Sequence, residues 1–230
     1  MKLKLGTCNV RILLDNSRKD RPTCRTAFVA REFTRYHVGI AALSETRFAD
    51  RGELTEIDCG FTFFWSGRLS TKKRETGGGF VVRSHIVKKL AKLPKGVNEF
   101  LMTLLLPLGK KNAFIISAFA PTMTNPDDVK DQFYEELETI ITRVPQTDKL
   151  ILLGDFNARV ASDHRVWENV IGKHGIGKCN SNGLLLVKTC ATHDLVITYT
   201  MFRLPTHKRY PGCTLAPSTG TYRLCHHQEE

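Results

Sequence analysis

The chain has 230 residues and a formal net charge of +11, from 34 Lys and Arg against 23 Asp and Glu. Its hydrophobic fraction of 41% excludes a disordered chain, and its length is enough for one domain with its own core. The longest apolar stretches, Phe100 to Leu106 and Ala113 to Ala120, are far shorter than the ~20 residues of a membrane-spanning helix. We therefore expect one globular domain without a membrane partner.

The first part of the chain predicts a strand, a helix and a strand. Leu3 to Val10 and Val38 to Ser44 are apolar runs of strand length, and apolar residues recur at helical spacing from Thr23 to Tyr36. Four further strands separated by Gly, Pro or Lys are expected to pair antiparallel with their neighbours. They are Phe61 to Trp65, Phe80 to Arg83, Phe100 to Leu106 and Phe114 to Phe119.

The second half of the chain begins with the clearest helix. Asn125 is the predicted N-cap, Pro126 takes the first helical position, and an apolar stripe follows until the helix ends near Pro145. A buried strand then stops at Gly154. After a loop rich in Gly and Asn, from Ile171 to Asn182, we expect two more elements. They are a helix from Gly183 to Thr192 and a strand from Leu195 to Thr200.

The positive charge is spread along the chain in small clusters, which favours a face that tracks phosphates. Any single cluster is typical of a solvated surface, and only their sum favours nucleic acid. The clusters are Lys72 to Arg74, Lys88 and Lys89 with Lys92 and Lys95, Lys110 and Lys111, and His207 to Arg209.

The seven cysteines have irregular spacing and no C-x-x-C pair, which is typical of reduced thiols. No secretory signal follows Met1, so we expect an intracellular setting, in the nucleus or the cytoplasm. A zinc cluster at Cys213, Cys225, His226 and His227 is disfavoured because its first spacing does not fit a zinc finger.

Polar side chains stand where three predicted strands end: Asn9, Glu45, Asp155 and Asn157. Strand ends form the ligand crevice of α/β folds, and a carboxylate that leaves a fully apolar strand is costly to bury without a partner. Glu45 and Asp155 could supply the one or two carboxylates that Mg²⁺ uses, with waters and phosphate oxygens as its other ligands. The alternative is that Asp155 and Asn157 only close a turn after the strand.

Five motifs that contain these residues resemble the endonuclease/exonuclease/phosphatase family in order and spacing. They are Cys8-Asn9-Val10-Arg11, Leu43-Ser44-Glu45-Thr46-Arg47, Gly77-Gly78-Gly79-Phe80, Ser117-Ala118-Phe119-Ala120-Pro121-Thr122 and Leu152-Leu153-Gly154-Asp155-Phe156-Asn157.

A later part of the chain resembles a narrower group, the endonuclease part of RTE/BovB-type LINE retrotransposons. That run extends from Gly172 through Asn180-Ser181-Asn182-Gly183 to Thr206. The whole resemblance covers roughly residues 1–209.

The resemblance implies an α/β fold: a four-layer, DNase I-like sandwich of two packed mixed β-sheets flanked by helices. It also implies cleavage of DNA phosphodiesters with Mg²⁺, or Mn²⁺ as an alternative. By match of motif, Glu45 and Asn9 would hold the metal and Asp155 would orient or deprotonate the attacking water. Asn157 would contact the phosphate in the transition state, as part of a substrate-binding set: Asn157, Arg11, Arg47 and Phe119.

The chain departs from the family pattern at two places. Phe119 stands where many relatives carry a Tyr whose hydroxyl reaches the phosphate. The family's final Ile-Asp-Tyr strand and Ser-Asp-His motif have no counterpart after residue 209. Asp163 and His164 spell part of that motif but follow Asp155 too closely, and we interpret them as a surface loop. His174, beside a Gly, is interpreted as a turn residue.

Residues 1–209 are therefore expected to form a domain that lacks its last strands, and residues 210–230 a tail outside the family, either disordered or frameshift-derived. The codons CCT GGA TGC ACC for Pro211 to Thr214 would read Trp-Met-His in a neighbouring frame. The codons TAT AGA CTA TGT for Tyr222 to Cys225 contain Ile-Asp-Tyr in a displaced frame. The nucleotide sequence that encodes the tail decides whether it is frameshift-derived.

The motifs and the departures from the family pattern predict two alternative functions. The first is a Mg²⁺-dependent DNA endonuclease of retrotransposon origin, with weak or absent activity because the terminal Asp and Asp-His are missing. The alternative is a catalytically inactive, nucleic-acid-binding remnant, since catalytic groups that act as a unit fail together. A phosphatase for small phosphoesters is disfavoured by the positive charge.

Overall fold

The structure is a computed structural model that describes residues 3–11, 13, 25–69, 71, 77–160, 162–175, 177–202 and 213–216, the last four by their backbone. Predictions that fall on Cys24, on Lys72 to Arg74 and on residues 203–212 and 217–230 lie outside the described residues.

The first sheet has the strand order β10-β1-β2-β5-β4-β3. β1 and β2 are parallel, and the remaining neighbours are antiparallel. The strands are β1 Leu5–Asn9, β2 Ile40–Ser44, β3 Arg51–Glu56, β4 Phe61–Ser66, β5 Gly78–Arg83 and β10 Cys213–Ala216.

The second sheet has the order β6-β7-β8-β9, antiparallel except for the parallel pair β8 and β9. Its strands are β6 Lys95–Gly96, β7 Leu101–Leu108, β8 Lys111–Phe119 and β9 Lys149–Asp155. The helices are α1 Arg25–Arg35, α2 Ser84–Val87, α3 Asp127–Thr142 and α4 Ser181–Thr192.

The inner faces of the two sheets pack on each other through one apolar cluster, which includes Ala42, Phe80, Leu104 and Ile115. The buried Ser117 hydroxyl in β8 donates to the Gly79 carbonyl in β5 at 2.9 Å, a direct hydrogen bond between the sheets. The ends of β1 and β2 therefore lie close to the end of β9.

Helices cover the outer faces of both sheets. Phe33 of α1 packs with Phe61 and Phe63 of β4 in one cluster on the first sheet. On the second sheet, Phe133 of α3 and Leu186 of α4 belong to a larger cluster. The order helix, sheet, sheet, helix confirms the predicted four-layer sandwich of two mixed sheets.

Three local predictions are wrong. The strand from Leu195 to Thr200 is absent: Ile197 forms a single bridge to Ile171, and Thr198–Thr200 is a 3₁₀ turn. Thr200 explains this, because its hydroxyl accepts the Gly172 N–H at 2.7 Å and donates to the Ile197 carbonyl at 2.6 Å. These two hydrogen bonds occupy the Gly172 N–H and the Ile197 carbonyl, backbone groups that strand pairing would otherwise use.

The other two wrong predictions concern the residues at which helices begin. Asn125 accepts the Thr122 N–H at 2.9 Å and so closes the preceding turn, while Pro126 takes the N-cap position of α3 without a side-chain bond. α4 begins at Ser181, two residues before the predicted Gly183, because Asn180 caps it.

The expectation of missing last strands remains a prediction. Within the described residues β9 lies at the edge of the second sheet, and four residues of the predicted tail form β10 beside β1. None of the described helices has both the length and the apolar character that crossing a membrane requires.

Gly154 in β9 gives a stability prediction. Its φ is +135°, and a Cβ there would lie 1.8 Å from the Ala118 carbonyl oxygen. We expect Gly154→Ala to lower the free energy of unfolding by roughly 3 kcal/mol or more, measured by guanidinium unfolding. Gly109→Ala is the control, because its φ of +71° is also positive but no atom lies within 4 Å. Equal stability of the two variants would contradict the close approach at Gly154.

Candidate active site

The candidate site lies at one end of the sandwich, where three strands from both sheets finish. Asn9 is the last residue of β1, Glu45 follows the end of β2, and Asp155 is the last residue of β9. Because β1 and β2 are parallel and pack against β9, their carboxyl ends meet at this edge. The backbone confirms the prediction that these polar residues lie at strand ends.

The Asn9 side chain joins the two acidic residues. Its amide Nδ2 donates to Glu45 Oε1 at 2.8 Å and reaches Asp155 Oδ2 at 3.4 Å. Its Oδ1 accepts the Arg11 N–H at 3.0 Å, which fixes the orientation of the amide. One side chain thus links residues of the first sheet with the end of the second.

The Glu45 carboxylate has a second polar neighbour, Arg47, whose Nη2 lies 3.7 Å from Oε2. The Glu45 side chain is 21% exposed and that of Arg47 is 38% exposed, so solvent or a ligand reaches both. The Arg47 Nε atom is buried and has no hydrogen-bond partner in the described part of the chain. The exposed part of the Arg47 side chain can donate to a phosphate oxygen.

Asp155 is almost fully buried, with 1% of its surface exposed. Its Oδ1 accepts the Asn157 N–H at 2.9 Å, which is the turn that sequence analysis kept as an alternative. The same residue also meets Asn9, so the turn and the polar cluster coexist. The Asn157 side chain donates to the Ala120 carbonyl at 2.8 Å and thereby ties the β9 turn to the end of β8.

Two asparagines without a role in the sequence analysis support this turn. Asn180 Nδ2 donates to the Asn157 carbonyl at 3.0 Å while its Oδ1 caps α4 by accepting the Gly183 N–H at 2.7 Å. The buried Asn182 donates to the Pro121 carbonyl at 2.8 Å and to the Asn157 carbonyl at 3.3 Å. The sequence signal that could have revealed these two residues is an N-cap Asn followed by another Asn and a Gly.

Tyr134 of α3 supports the same segment from below. Its hydroxyl donates to the Asn182 carbonyl at 3.0 Å. Burial raises the pKa of Tyr134 above its ordinary value, with a smaller contribution from Cys190, so the hydroxyl keeps the proton that it donates.

Strained backbone is concentrated at this site. Arg11, Glu45, Arg47 and Asn157 have φ values of 52°, 57°, 56° and 48°, in the left-handed region. Asn tolerates this conformation, whereas Arg and Glu have it at a cost of about 1–2 kcal/mol each. The Thr46 N–H donates to the Gly77 carbonyl at 3.1 Å, which holds the strained segment after β2 in place.

The remaining predicted residues are placed as follows. Phe119 is the last residue of β8, opposite Asp155 in the register, and is 4% exposed, so its ring is buried. Arg11 is exposed beside Asn9. Asp163 and His174 are exposed in loops after β9, in agreement with their interpretation as surface and turn residues.

The site can offer hard oxygen ligands and cationic donors together. In the described ranges no three His, Cys, Asp or Glu side chains come together, so the acidic groups here are the pair Glu45 and Asp155. Two carboxylates with an amide suit a hard divalent cation that keeps several waters.

Comparison with known proteins identifies the family of the chain. The model of the endonuclease/exonuclease/phosphatase family matches residues 6–223, and the chain belongs to this family. By family it is therefore a nuclease-type hydrolase. The match continues past the boundary that sequence analysis expected at residue 209.

The curated relatives that match are forms of craniofacial development protein 2. The chain is 28% identical over 220 residues to the Bos taurus protein, which covers 95% of this chain and 34% of that protein. It is 27% identical over 206 residues to the Tragulus javanicus protein, with 90% and 33% covered. The chain thus spans about one third of the length of the curated relatives it matches.

Solved structures with a similar fold include an endonuclease domain and a catalytic domain. The endonuclease domain of TRAS1, a telomere-specific non-LTR retrotransposon, matches with a TM-score of 0.58 and 16% identity, over 93% of this chain and 83% of that one. The Xenopus laevis APE2 catalytic domain matches with a TM-score of 0.53 and 14% identity, over 80% and 66%. At these identities the likeness is one of fold.

Asn182 gives a test of how the site is supported. We expect Asn182→Ala to lower the free energy of unfolding by about 2 kcal/mol, because it leaves the buried Pro121 carbonyl without its donor. Urea unfolding measures the change. The neighbouring Ser181→Ala, at an exposed position, is the control and should change stability by less than about 0.5 kcal/mol. Wild-type stability of Asn182→Ala would show that the turn does not need this bond.

Proposed function

We propose that this chain is a metal-dependent phosphodiesterase of retrotransposon origin that nicks DNA, with weak or absent activity in the 230-residue form. The observation that carries the proposal is the Asn9 amide between Glu45 and Asp155 at an edge built from both sheets. Membership of the family supplies the reaction class.

The donor set fits Mg²⁺ or Mn²⁺. Glu45 and the Asn9 side chain would hold the ion, and their oxygens are the hard ligands that these cations prefer. The Glu45 carboxylate is partly exposed, which leaves room for waters and a phosphate. A bound ion would neutralise developing negative charge on the phosphate.

The protein's own groups would position the water and the phosphate. Asp155 is held between the Asn9 amide and the Asn157 backbone N–H, so its carboxylate is oriented to accept a proton from a water. Asn157 would contact the phosphate, and the partly exposed side chain of Arg47 supports a phosphate contact there, with Arg11 exposed beside Asn9. Phe119 contributes a packed ring without a hydroxyl at the end of β8.

DNA is the proposed substrate. The net charge of +11 favours a polyanion, and the fold is shared with the endonuclease domain of a retrotransposon. Mg²⁺ dependence, DNA specificity and retrotransposon origin are parts of this proposal.

A second candidate function is binding without turnover. It is favoured by Phe119 in place of a Tyr, and by the exposure of Asp163, which keeps the Asp163-His164 pair a surface loop. Residues 1–230 carry no other Ser-Asp-His. Such a remnant would still bind DNA, with an affinity that falls as salt is added.

Nicking of supercoiled plasmid separates the two functions. With Mg²⁺ we expect slow conversion to the open circle by the wild type and none by Glu45→Ala or Asp155→Asn. Glu53→Ala, a change at an exposed glutamate in β3, is the matched control and should nick like the wild type. Nicking by Glu45→Ala at the wild-type rate would remove the proposed site, and DNA binding without any nicking would favour the second function.

Phe119 predicts a gain of activity. A Tyr at this position would add one donor beside Asp155, and one preorganised donor is typically worth ~10²- to 10³-fold in rate. We expect Phe119→Tyr to raise the nicking rate at least roughly 10-fold. Phe28→Tyr, on the exposed face of α1, is the control and should leave the rate unchanged. An unchanged rate in Phe119→Tyr would show that a hydroxyl there does not reach the phosphate.

A further inference from the structure

We propose that the chain carries a second nucleic-acid-binding surface at the end of the sandwich opposite the candidate active site, where it holds duplex nucleic acid by its phosphates. This surface goes beyond the proposed function and needs neither Glu45 nor Asp155. It consists of six exposed lysines, defined as the lysine pole: Lys88, Lys89, Lys92, Lys110, Lys111 and Lys149.

The strand register places three of these lysines. β8 begins at Lys111 and β9 at Lys149, and the two strands are parallel. Their other ends carry Phe119 and Asp155, which are partners in the register. At about 3.3 Å per residue, Lys111 lies roughly 26 Å along the strand from Phe119. Lys110 is in the turn that joins β7 to β8, directly before Lys111.

The other three lysines follow α2 and reach the same end. β5 is antiparallel to β2, so α2, which follows β5, lies near the start of β2 and away from Glu45. Ile86 of α2 packs in the same cluster between the sheets as Leu106 and Ala113, which flank the β7–β8 turn. Both groups of lysines therefore lie at the same end of the apolar cluster between the two sheets.

The charge of the lysine pole is poorly compensated by the protein. No carboxylate of the described residues lies within 4.0 Å of any of its six ammonium groups. Asp148 precedes Lys149, but its carboxylate accepts the Asn112 backbone N–H at 3.1 Å and the Asn112 side-chain amide at 3.2 Å. Glu56 and Asp58, at the β3–β4 turn, are further carboxylates toward this end, and Glu56 accepts a hydrogen bond from the Thr26 hydroxyl. Ammonium groups that repel one another favour a polyanion, which releases its counterions on binding.

The residue types favour a duplex over a single strand. Residues 84–95 and 107–113 contain no Phe, Tyr or Trp on which an unpaired base could stack. Lysine ammonium groups act as flexible point charges and recognise phosphates without reading bases. A duplex presents one charge per about 1.7 Å of its axis, so a patch of lysines meets several phosphates at once.

Binding of a short labelled DNA duplex, followed by fluorescence anisotropy over a range of salt concentrations, tests the proposal. The variants are the pairs Lys88→Ala with Lys89→Ala and Lys110→Ala with Lys111→Ala. The control pair is Arg31→Ala with Lys188→Ala, exposed cations on α1 and α4 that lie outside the lysine pole. Circular dichroism melts show whether each variant folds like the wild type.

We expect each lysine-pole pair to lose roughly 10-fold or more in affinity and to lower the salt slope by about 2, since each phosphate contact contributes about 0.9. The control pair should bind like the wild type, whether or not plasmid nicking is observed. Wild-type affinity and slope in both lysine-pole pairs would overturn the proposal. So would an equal loss in the control pair, or tighter binding to phosphatidylserine vesicles than to the duplex.

Discussion

The Asn9 side chain is the interaction on which the candidate site depends. Its amide contacts the carboxylates of Glu45 and Asp155, one from each sheet, and its own oxygen is held by the Arg11 backbone. Two carboxylates that approach each other repel, and an amide N–H between them reduces that repulsion without adding a third charge. Glu45 and Asn9, the proposed ligands of a cation, are thereby held next to Asp155, the proposed acceptor of a proton from water.

This arrangement requires that the sheets pack with their strand ends aligned. The apolar cluster between the sheets sets their separation, and the hydrogen bond from Ser117 to the Gly79 carbonyl joins β8 to β5. Gly154 allows β9 to pass close to the Ala118 carbonyl just before Asp155. The core therefore supports the strained backbone at Glu45 and Arg47, which would otherwise relax to a more common conformation.

The strand-end positions of Asn9, Glu45 and Asp155 could be predicted because an apolar strand that ends in a polar residue is a local signal. The four layers were implied by the family resemblance. β3 was missed because its sequence, Arg-Gly-Glu-Leu-Thr-Glu, is polar and lies at the edge of its sheet. The strand predicted after Leu195 failed because the Thr200 hydroxyl binds backbone groups of the neighbouring loop, and such a tertiary contact leaves no local pattern.

The sequence alone also could not show where in the fold the positive charge lies. The clusters around Lys88 and Lys110 were expected to belong to a face that tracks phosphates, and the register of β5, β8 and β9 puts them at the end opposite the candidate site. Linear spacing does not show which end of a sheet a turn will occupy. The charge near the candidate site comes instead from Arg11 and Arg47, which lie in the two motifs that also carry Asn9 and Glu45.

The most direct test of this account is divalent cation binding. Titration of Mn²⁺ with the purified protein, with free Mn²⁺ followed by electron paramagnetic resonance and Mg²⁺ added as competitor, measures the site without any need for turnover. Binding by the wild type that Mg²⁺ displaces, that Glu53→Gln retains and that Glu45→Gln loses is the predicted result. Binding that is absent in the wild type, or equally strong in Glu45→Gln, would contradict a cation site at Glu45 and Asn9.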